Sequence, residues 1–394
     1  MDTMAVAELA IEKRIQKPKT FDFRRRLPAL DGLRGIAILA VFFYHYAGGV
    51  GAHTSSSAVR ALGVVFALGW SGVDLFFVLS GFLITGILYD TQNDPQYYRN
   101  FYARRVLRIF PIYYLLIAIY LCVGLFLGAH WKPAHFFFLV YMGYPAALIW
   151  PSLTTAVPSL AVTHLWSLSV EEQFYMAWPW LIARLRTRQA VLVGCVLVAT
   201  LALALRLCVW VFGWNADWAT GFLFCRMDQL AVGAAIAILV RGQSHEWLLR
   251  WAPVMFVCST ACVLGIFTVR HTVDRGDPFL WTFGYSLIAV AYGTLLLLCL
   301  RSGSWVPSLF SWIFLRTFGK YSYGLYLYHF PLAVVLSPMR QILVSWTHSF
   351  WVGSVAHVVI CLLINLLIAA LSFHFLESPI MRLKGKFGYA AEMA

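Results

Sequence analysis

The chain has 394 residues, of which 61% are hydrophobic and only 12% are charged, and its mean hydropathy is +0.75. Soluble domains carry roughly a quarter charged residues, so this composition excludes an ordinary soluble protein. Apolar stretches of about 20 residues recur along the chain, each long enough to cross a hydrocarbon core of about 30 Å. The sequence therefore predicts an all-α, polytopic membrane protein.

Ten transmembrane helices are predicted in chain order. They lie at 33–52, 61–89, 106–128, 165–184, 189–213, 222–241, 251–270, 280–300, 320–344 and 350–376. The apolar segment 135–150 has only 16 residues, and prolines interrupt the chain around it. We expect 129–164 to form an outer re-entrant or interfacial segment; if 135–150 crosses the membrane, it adds an eleventh span. The predicted organisation is an N-terminal tail over 1–29, a transmembrane domain over 30–379 and a C-terminal tail over 380–394.

The basic residues are distributed unevenly between the predicted loops. The net charge is +13, and 22 of the 30 lysines and arginines fall in the tails and in every second loop, against five in the other loops. This asymmetry follows the positive-inside pattern and predicts that both termini are cytoplasmic. The charge is therefore expected to face membrane lipids rather than a nucleic acid, and the expected location is the plasma membrane.

The eight cysteines lie mostly inside apolar stretches, and no CxxC pair occurs. We interpret them as small reduced hydrophobic residues, not as a disulfide framework or a zinc site. No metal site is predicted.

The first predicted helix, within LPALDGLRGIAILAVFFYHYAG, contains two ionisable residues. Arg34 and His45 are eleven positions apart, which places them on one helix face and about 16 Å apart along the axis. Asp31 is expected to cap this helix and to reach Arg34. Ionisable groups in a membrane-spanning helix are costly and indicate function. The alternative is that Arg34 is an interfacial anchor and His45 a hydrogen-bonded packing residue.

Further ionisable residues lie within or beside the predicted spans: Asp74, Arg104, Arg105, Arg108, Glu171, Glu172, Arg226, Asp228 and His329. Gly72 and Gly81 flank the aspartate and allow close helix packing. The arginine cluster has an alternative role as a topogenic or lipid-headgroup anchor. Arg226 and Asp228 could instead form structural pairs between helices. His329 could instead be a buried packing histidine whose hydrogen bonds are satisfied.

An ordered set of motifs extends from about Leu30 to Pro379. These are LDGLRGIAILAVFFYHY, SGVDLFFVLSGFLIT, YARRVLRIFPIYY, HLWSLSVEEQFY, CRMDQLAVGA, YSYGLYLYHFPL and a terminal ESP. Together they resemble the acyltransferase-3 family of integral membrane acyltransferases. That family has an arginine, ten residues and a histidine in its first span, which match Arg34 and His45. Its RxxR motif matches Arg105 and Arg108.

The resemblance implies transfer of an acyl group, most often acetyl from acetyl-CoA, to a hydroxyl of a carbohydrate, surface polysaccharide, lipid-linked glycan or similar acceptor. Arg34, Arg104, Arg105 and Arg108 are expected to bind the acyl-CoA donor from the cytoplasmic side, because guanidinium groups suit phosphate oxygens. Acetyl-CoA is a co-substrate, and no permanently bound cofactor is expected.

His45 is the candidate general base, because a neutral imidazole can take the proton of the attacking hydroxyl. Glu171 or Glu172 is expected to orient that imidazole or to bind the acceptor, and Asp74 is a further candidate catalytic residue. An acyl-histidine intermediate is the alternative to direct transfer. The residues that bind the acceptor are not identified by the sequence.

A transporter or flippase for a lipid-linked or anionic substrate is the alternative function, since it would also hold buried charges near the membrane midplane. Two matching halves with broken helices, which such a protein would show, are not evident in the sequence.

Overall fold

The computed structural model describes residues 27–48, 56–126, 133–150, 163–242 and 245–389. Every regular element in these ranges is helical, which confirms the predicted all-α class. The helices are α1 (Pro28–Ala47), α2 (Ser57–Ala67), α3 (Gly72–Asp90), α4 (Tyr97–Phe126), α5 (Gly143–Ile149), α6 (Trp166–Leu185), α7 (Arg188–Val211), α8 (Ala216–Gly221), α9 (Leu223–Leu239), α10 (His245–Arg270), α11 (Tyr285–Leu300), α12 (Trp305–Phe310), α13 (Ile313–Lys320), α14 (Ser322–Leu336), α15 (Met339–Thr347), α16 (Phe350–Ser372) and α17 (Ser378–Arg382). All eight cysteines are free, as predicted.

Seven helical segments in the described ranges are long and apolar enough to cross a membrane. An eighth is added if α14 and α15, which are bent by 59° relative to each other, form one broken span. Each of the ten predicted segments overlaps at least one helix, and 61–89 and 320–344 each overlap more than one. However, α1 and α6, with 20 residues each, fall outside the set of possible spans. Both carry charged side chains that interrupt their apolar runs. The count of ten spans is therefore not confirmed and stays a prediction.

The segment predicted to lie outside the main spans does not form a long helix where it is described. It contains a 3₁₀ helix over Pro133–Val140 and the seven-residue α5. The Tyr113 hydroxyl of α4 donates to the carbonyl of Phe138 at 2.6 Å and so ties this segment to the helical bundle. Residues 129–132 and 151–162 lie outside the described ranges, and the re-entrant path of the segment stays a prediction.

Helices α3 and α9 are held in close contact by two glycines. A Cβ at Gly81 would lie 1.9 Å from the carbonyl oxygen of Leu230, and a Cβ at Gly233 would lie 1.9 Å from that of Val78. A Cβ at Gly72 would likewise approach a backbone oxygen of α1, at 2.4 Å. These contacts confirm the predicted close packing at Gly72 and Gly81 and explain how α3 is fixed between α1 and α9.

Two buried ion pairs join α9 to its neighbours. Arg206 of α7 binds Asp228 with Nη1–Oδ1 and Nη2–Oδ2 distances of 3.0 and 2.8 Å. Arg226 Nη2 lies 2.5 Å from Asp74 Oδ1 of α3. The interpretation of Arg226 and Asp228 as interhelical pairs is therefore confirmed, although each pairs with a residue on a different helix.

Candidate functional site

Two cavities lie between the helices that carry the candidate residues. The arginine cavity, of about 240 Å³, is lined by Arg34, Arg105 and Arg108. The histidine cavity, of about 800 Å³, is lined by His45 and His164. Each sequence candidate can be located relative to these two spaces.

The arginine cavity is lined by five helices, α1, α3, α4, α6 and α14, and its charged side chains come from three of them. α1 supplies Arg34, α4 supplies Arg105 and Arg108 one turn apart, and α6 supplies Glu171. The Arg105 guanidinium lies 5.7 Å from the ring centre of Tyr175, which also lines the cavity. Three cations face one carboxylate, so the cavity favours an anionic ligand with planar oxygen pairs.

Arg34 is oriented by the first turn of α1. Its Nη1 lies 3.5 Å from Asp31 Oδ1, which confirms the predicted contact between residues three apart. The predicted capping role of Asp31 is wrong, because the helix begins at Pro28 and Leu27, the residue at its N-cap, makes no side-chain capping bond. Asp31 therefore lies inside the first turn, where it orients the guanidinium.

Arg104 is not brought into the arginine cavity. Its Nη1 donates to the carbonyl of Phe387 at 3.4 Å, and its guanidinium lies 5.2 Å from the ring centre of Tyr389. Adjacent helical residues point about 100° apart, so Arg104 turns towards the C-terminal segment while Arg105 turns inward.

The two adjacent glutamates of α6 also separate. Glu171 lines the arginine cavity, whereas Glu172 is only 6% exposed and lines neither cavity. No hydrogen-bond partner for Glu172 Oε1 is found among the described residues. Neither glutamate lines the space that His45 faces, so their predicted role in orienting His45 gains no support from their positions.

The histidine cavity lies at the C-terminal end of α1, and both aromatic and polar side chains line it. His45 faces it together with Trp70 and Trp166. Its charged lining residues are Asp217, Arg226, Arg275 and Arg340. Indole and phenol rings with a few polar groups are typical of small-molecule sites, and this volume lies within the usual range for them.

Val73 and Tyr326 line both cavities and therefore form the wall between them. The Tyr326 hydroxyl donates to the His164 carbonyl at 2.9 Å and is bonded to Ser167 Oγ. Because that hydroxyl has one proton, the Ser167 hydroxyl is the donor in the second bond. The wall is thus a hydrogen-bonded tyrosine beside a valine.

Asp74 lines neither cavity. It is fully buried, and its Oδ1 pairs with Arg226, which lines the histidine cavity and whose guanidinium lies 3.8 Å from the ring centre of Tyr285. This position explains Asp74 as the partner of a buried cation, while its predicted catalytic role stays untested.

Sequence reasoning missed three residues of the two cavities. His164, Tyr175 and Tyr326 are not among the sequence candidates, yet His164 lines the histidine cavity, Tyr175 lies beside Arg105 in the arginine cavity, and Tyr326 lines both. The spacing of Tyr326 and His329, three residues apart in YSYGLYLYHFPL, was the available signal, because such residues share a helix face.

Comparison with known proteins assigns the chain to a family. The Acyl_transf_3 family, described as an acyltransferase domain, matches residues 27–374. No solved structure matches the chain.

Three curated relatives are similar along most of the chain. The YrhL protein of Bacillus subtilis, provisionally named a peptidoglycan O-acetyltransferase, is 28% identical over 385 residues, which cover 90% of this chain and 55% of that protein. The peptidoglycan O-acetyltransferase OatA of Listeria monocytogenes is 27% identical over 377 residues, covering 91% and 56%. A provisionally named O-acetyltransferase of Staphylococcus aureus strain COL is 24% identical over 384 residues, covering 90% and 57%.

The chain therefore matches little more than half the length of each of these relatives. The family match extends over nearly the whole chain. Seven helical segments among the described residues are long and apolar enough to cross a membrane, as in a multi-pass membrane protein. The chain belongs to the acyltransferase-3 family of integral membrane acyltransferases.

Proposed function

We propose that this protein transfers an acetyl group from acetyl-CoA, bound from the cytoplasmic side, to a hydroxyl of a carbohydrate acceptor bound in the histidine cavity. One observation carries the proposal: Arg34 and His45 lie on a single helix and line two cavities that share a wall at Val73 and Tyr326. A donor held at one cavity can thereby present its reactive end to the other.

The arginine cavity is the proposed donor site. Coenzyme A is a polyanion, and Arg34, Arg105 and Arg108 offer forked donors for its phosphate oxygens. A volume of about 240 Å³ is too small for the whole coenzyme, so the pantetheine arm enters and the nucleotide stays near the mouth. Glu171, placed among the same arginines, is assigned to this site and not to His45.

His45 is the proposed general base. It lies about 16 Å along the α1 axis from Arg34, a length comparable to an extended pantetheine arm. The thioester then reaches the shared wall of the two cavities while the nucleotide end remains with the arginines.

In the proposed reaction the acceptor oxygen attacks the thioester carbonyl carbon as its proton passes to a bare ring nitrogen of His45. The tetrahedral intermediate collapses, the carbon–sulfur bond breaks, and the departing sulfur takes that proton from the imidazolium. The products are the acetyl ester of the acceptor and free CoA thiol, and His45 is neutral again. This direct route needs no acyl-histidine.

The histidine cavity is the proposed acceptor site. Its aromatic lining, including Trp70 and Trp166, suits the faces of a sugar ring. Two of the relatives are named for O-acetylation of peptidoglycan, and a glycan of that kind is the first acceptor to test. The distribution of 22 basic residues against five supports a plasma-membrane orientation with both termini cytoplasmic.

The test uses the purified full chain in lipid vesicles with acetyl-CoA, and measures release of free CoA thiol and the mass of added glycan fragments. We expect thiol release that depends on the glycan, together with an acetylated product. A flippase would move its substrate without releasing CoA thiol. Absence of thiol release with peptidoglycan fragments, other surface glycans and lipid-linked glycans alike would contradict the proposal.

A further inference from the structure

His329 of α14 is a completely buried histidine beside the proposed base. Its Nδ1 lies 2.7 Å from the carbonyl oxygen of Tyr326. A carbonyl only accepts hydrogen bonds, so Nδ1 carries the proton and Nε2 is left as a bare acceptor. The tautomer of His329 is thereby set by its own helix.

The Nε2 atom of His329 has no hydrogen-bond partner within the part of the chain that the structure describes. Buried acceptors are nearly always paired, and an exception calls for an explanation. The sequence-based interpretation of His329 as a satisfied histidine therefore holds for Nδ1 and not for Nε2.

The ring of His45 is next to this unpaired acceptor. The ring centres of His45 and His329 are 5.1 Å apart, and Phe330 packs edge-on against His45 at 4.8 Å. At this separation a small rotation of the half-buried His45 side chain brings a ring nitrogen within hydrogen-bond reach of Nε2. Catalytic hydrogen bonds are often loose before substrate binds and tighten in the reacting complex.

His329 itself is held in place from its backbone. The Tyr46 hydroxyl donates to the His329 carbonyl at 2.8 Å, and Asn365 Nδ2 of α16 donates to the Tyr46 hydroxyl at 3.1 Å. Since Tyr46 follows His45 directly on α1, the same contact fixes α1 against α14. The pair of histidines is thus built from three helices.

A metal site is the competing explanation for neighbouring histidines, because His164 lies 5.5 Å from His329 between ring centres. The His164 Nε2 atom is instead 3.2 Å from the Leu327 carbonyl. In the described ranges no group of three or more histidine, cysteine or acidic side chains has an arrangement that could hold a metal ion.

We infer that His329 is a positioning residue for His45: its Nε2 accepts a hydrogen bond from one ring nitrogen of His45 and leaves the other nitrogen bare towards the histidine cavity. The inference rests on the proposed function of His45. His45 lines that cavity and His329 does not, so His329 acts through His45 and touches neither substrate. When His45 takes the acceptor proton, the same bond stabilises the imidazolium.

Three substitutions separate the two nitrogens of His329. His329→Gln places an amide oxygen near the position of Nε2, His329→Asn reaches only the position of Nδ1, and His329→Phe keeps the ring without either nitrogen. We expect the Phe and Asn variants to lower kcat about tenfold or more. This is a part of the roughly 10²–10⁴-fold rate increase that a general base typically contributes. KM for acetyl-CoA should stay unchanged, and Gln should restore most of kcat.

The matched control is His245→Phe. His245 is also buried, and its Nδ1 also lies near a carbonyl three residues back, that of Gly242, at 3.0 Å. Loss of a buried histidine should lower the thermal unfolding temperature of His245→Phe and of His329→Phe alike. Only the His329 variants should have a lower kcat. If His329→Phe does not insert, the comparison of Gln with Asn decides, and equal rates in these two would overturn the inference.

A double variant tests whether His329 acts through His45. In a His45→Ala background, His329→Phe should cause no further loss of kcat, because residues that act as a unit are not additive. Multiplicative losses would indicate a structural role and overturn the inference. Normal rates in all His329 variants, with His45→Ala inactive, would overturn it and leave the proposed reaction standing.

A readout without substrate separates the inference from the proposed function. Nitrogen chemical shifts of ¹⁵N-histidine-labelled protein at neutral pH should show one tautomer of His45 in the wild type and a mixture in His329→Phe. An unchanged His45 signal would overturn the positioning role. Absence of acetyl transfer by the wild type, with this tautomer change present, would instead contradict only the proposed function.

Discussion

Arg34 and His45 lie on one uninterrupted helix, α1, yet they line different cavities. The helix connects the two spaces, which meet at Val73 and Tyr326. A ligand anchored at Arg34 can therefore be presented to His45 without any movement of the backbone between them.

Replacing Arg34 and His45 separately should impair the enzyme in different ways. His45→Ala should bind acetyl-CoA almost normally and lose at least 10²-fold in kcat, about the lower scale for a general base. Arg34→Ala should raise KM for acetyl-CoA, with the loss divided between binding and turnover. Steady-state kinetics and equilibrium CoA binding on the purified variants measure both.

His45→Gln is the sharper variant, because glutamine keeps hydrogen bonding and cannot take a proton at neutral pH. Near-normal transfer by this variant in vesicles would show that His45 only orients a substrate. Glu171, which already lines the donor cavity, would then be the next candidate for the base.

The Arg105→Ala, Arg108→Ala double variant should bind CoA more weakly than the wild type. Each substitution removes a charge-assisted phosphate contact worth about 1.5–3 kcal/mol. Binding to the wild type should also weaken as salt rises, because added ions screen these contacts. Calorimetric titration with CoA measures both effects.

Arg99→Ala is the matched control on the same helix. Arg99 is outside the cavity lining and donates to Gln96 at 2.8 Å on the exposed surface. It should bind CoA as the wild type does. Equal CoA affinity in the double variant, with normal membrane insertion, would return Arg105 and Arg108 to a topogenic role.

The helix positions and two of the donor-site motifs could be predicted from the sequence, because both are local properties. A stretch of apolar residues bounded by charges already indicates a helix in a membrane. The eleven-residue spacing of Arg34 and His45 and the three-residue spacing of Arg105 and Arg108 each indicate a shared face. The structure places all four at cavities.

The choice between neighbouring residues could not be predicted. Arg104 and Arg105, like Glu171 and Glu172, differ only in helix azimuth, and which one faces a cavity depends on where the other helices pack. The partner of Asp74 is 152 residues away along the chain. Such pairings follow from tertiary packing, which periodicity within one helix does not encode.

Membrane orientation is tested by single cysteines in a background without the eight native ones. Arg186→Cys, between α6 and α7, should be protected from an impermeant thiol reagent added outside intact cells, because the distribution of 22 basic residues against five predicts that this loop is cytoplasmic. Lys132→Cys, at a position outside the described residues, should react. The reverse labelling pattern would invert the orientation, and with it the side from which the donor binds.

Gly81→Ala should destabilise the protein through the contact between α3 and α9. The new Cβ would meet the Leu230 carbonyl at 1.9 Å, so the helices must separate, and overpacking of this kind costs about 1–3 kcal/mol. Thermal unfolding in detergent measures the loss. Gly265→Ala is the control, since a Cβ there meets no atom within 4 Å of the described structure. An unfolding temperature for Gly81→Ala equal to that of the control would contradict close packing at this site.

Asp74→Ala should be strongly destabilising, because it leaves the buried Arg226 guanidinium without its carboxylate. Breaking one side of a buried pair costs about 3–5 kcal/mol, whereas loss of a surface pair costs about 0–1 kcal/mol. The surface control is Asp90→Ala, which removes the partner of Arg241 at an aspartate whose side chain is 47% exposed.

The double variant Asp74→Leu, Arg226→Met separates the structural role of Asp74 from a catalytic one. It leaves no unpaired buried charge, so thermal unfolding should recover most of the loss seen in Asp74→Ala. Since Asp74 lines neither cavity, the folded fraction of Asp74→Asn should keep kcat close to that of the wild type. A loss of kcat on the 10²-fold scale in folded Asp74→Asn would instead show that this carboxylate handles the proton of the reaction. In that case Oδ2 would be the atom that takes the proton, because Arg226 holds Oδ1 and Oδ2 has no hydrogen-bond partner among the described residues.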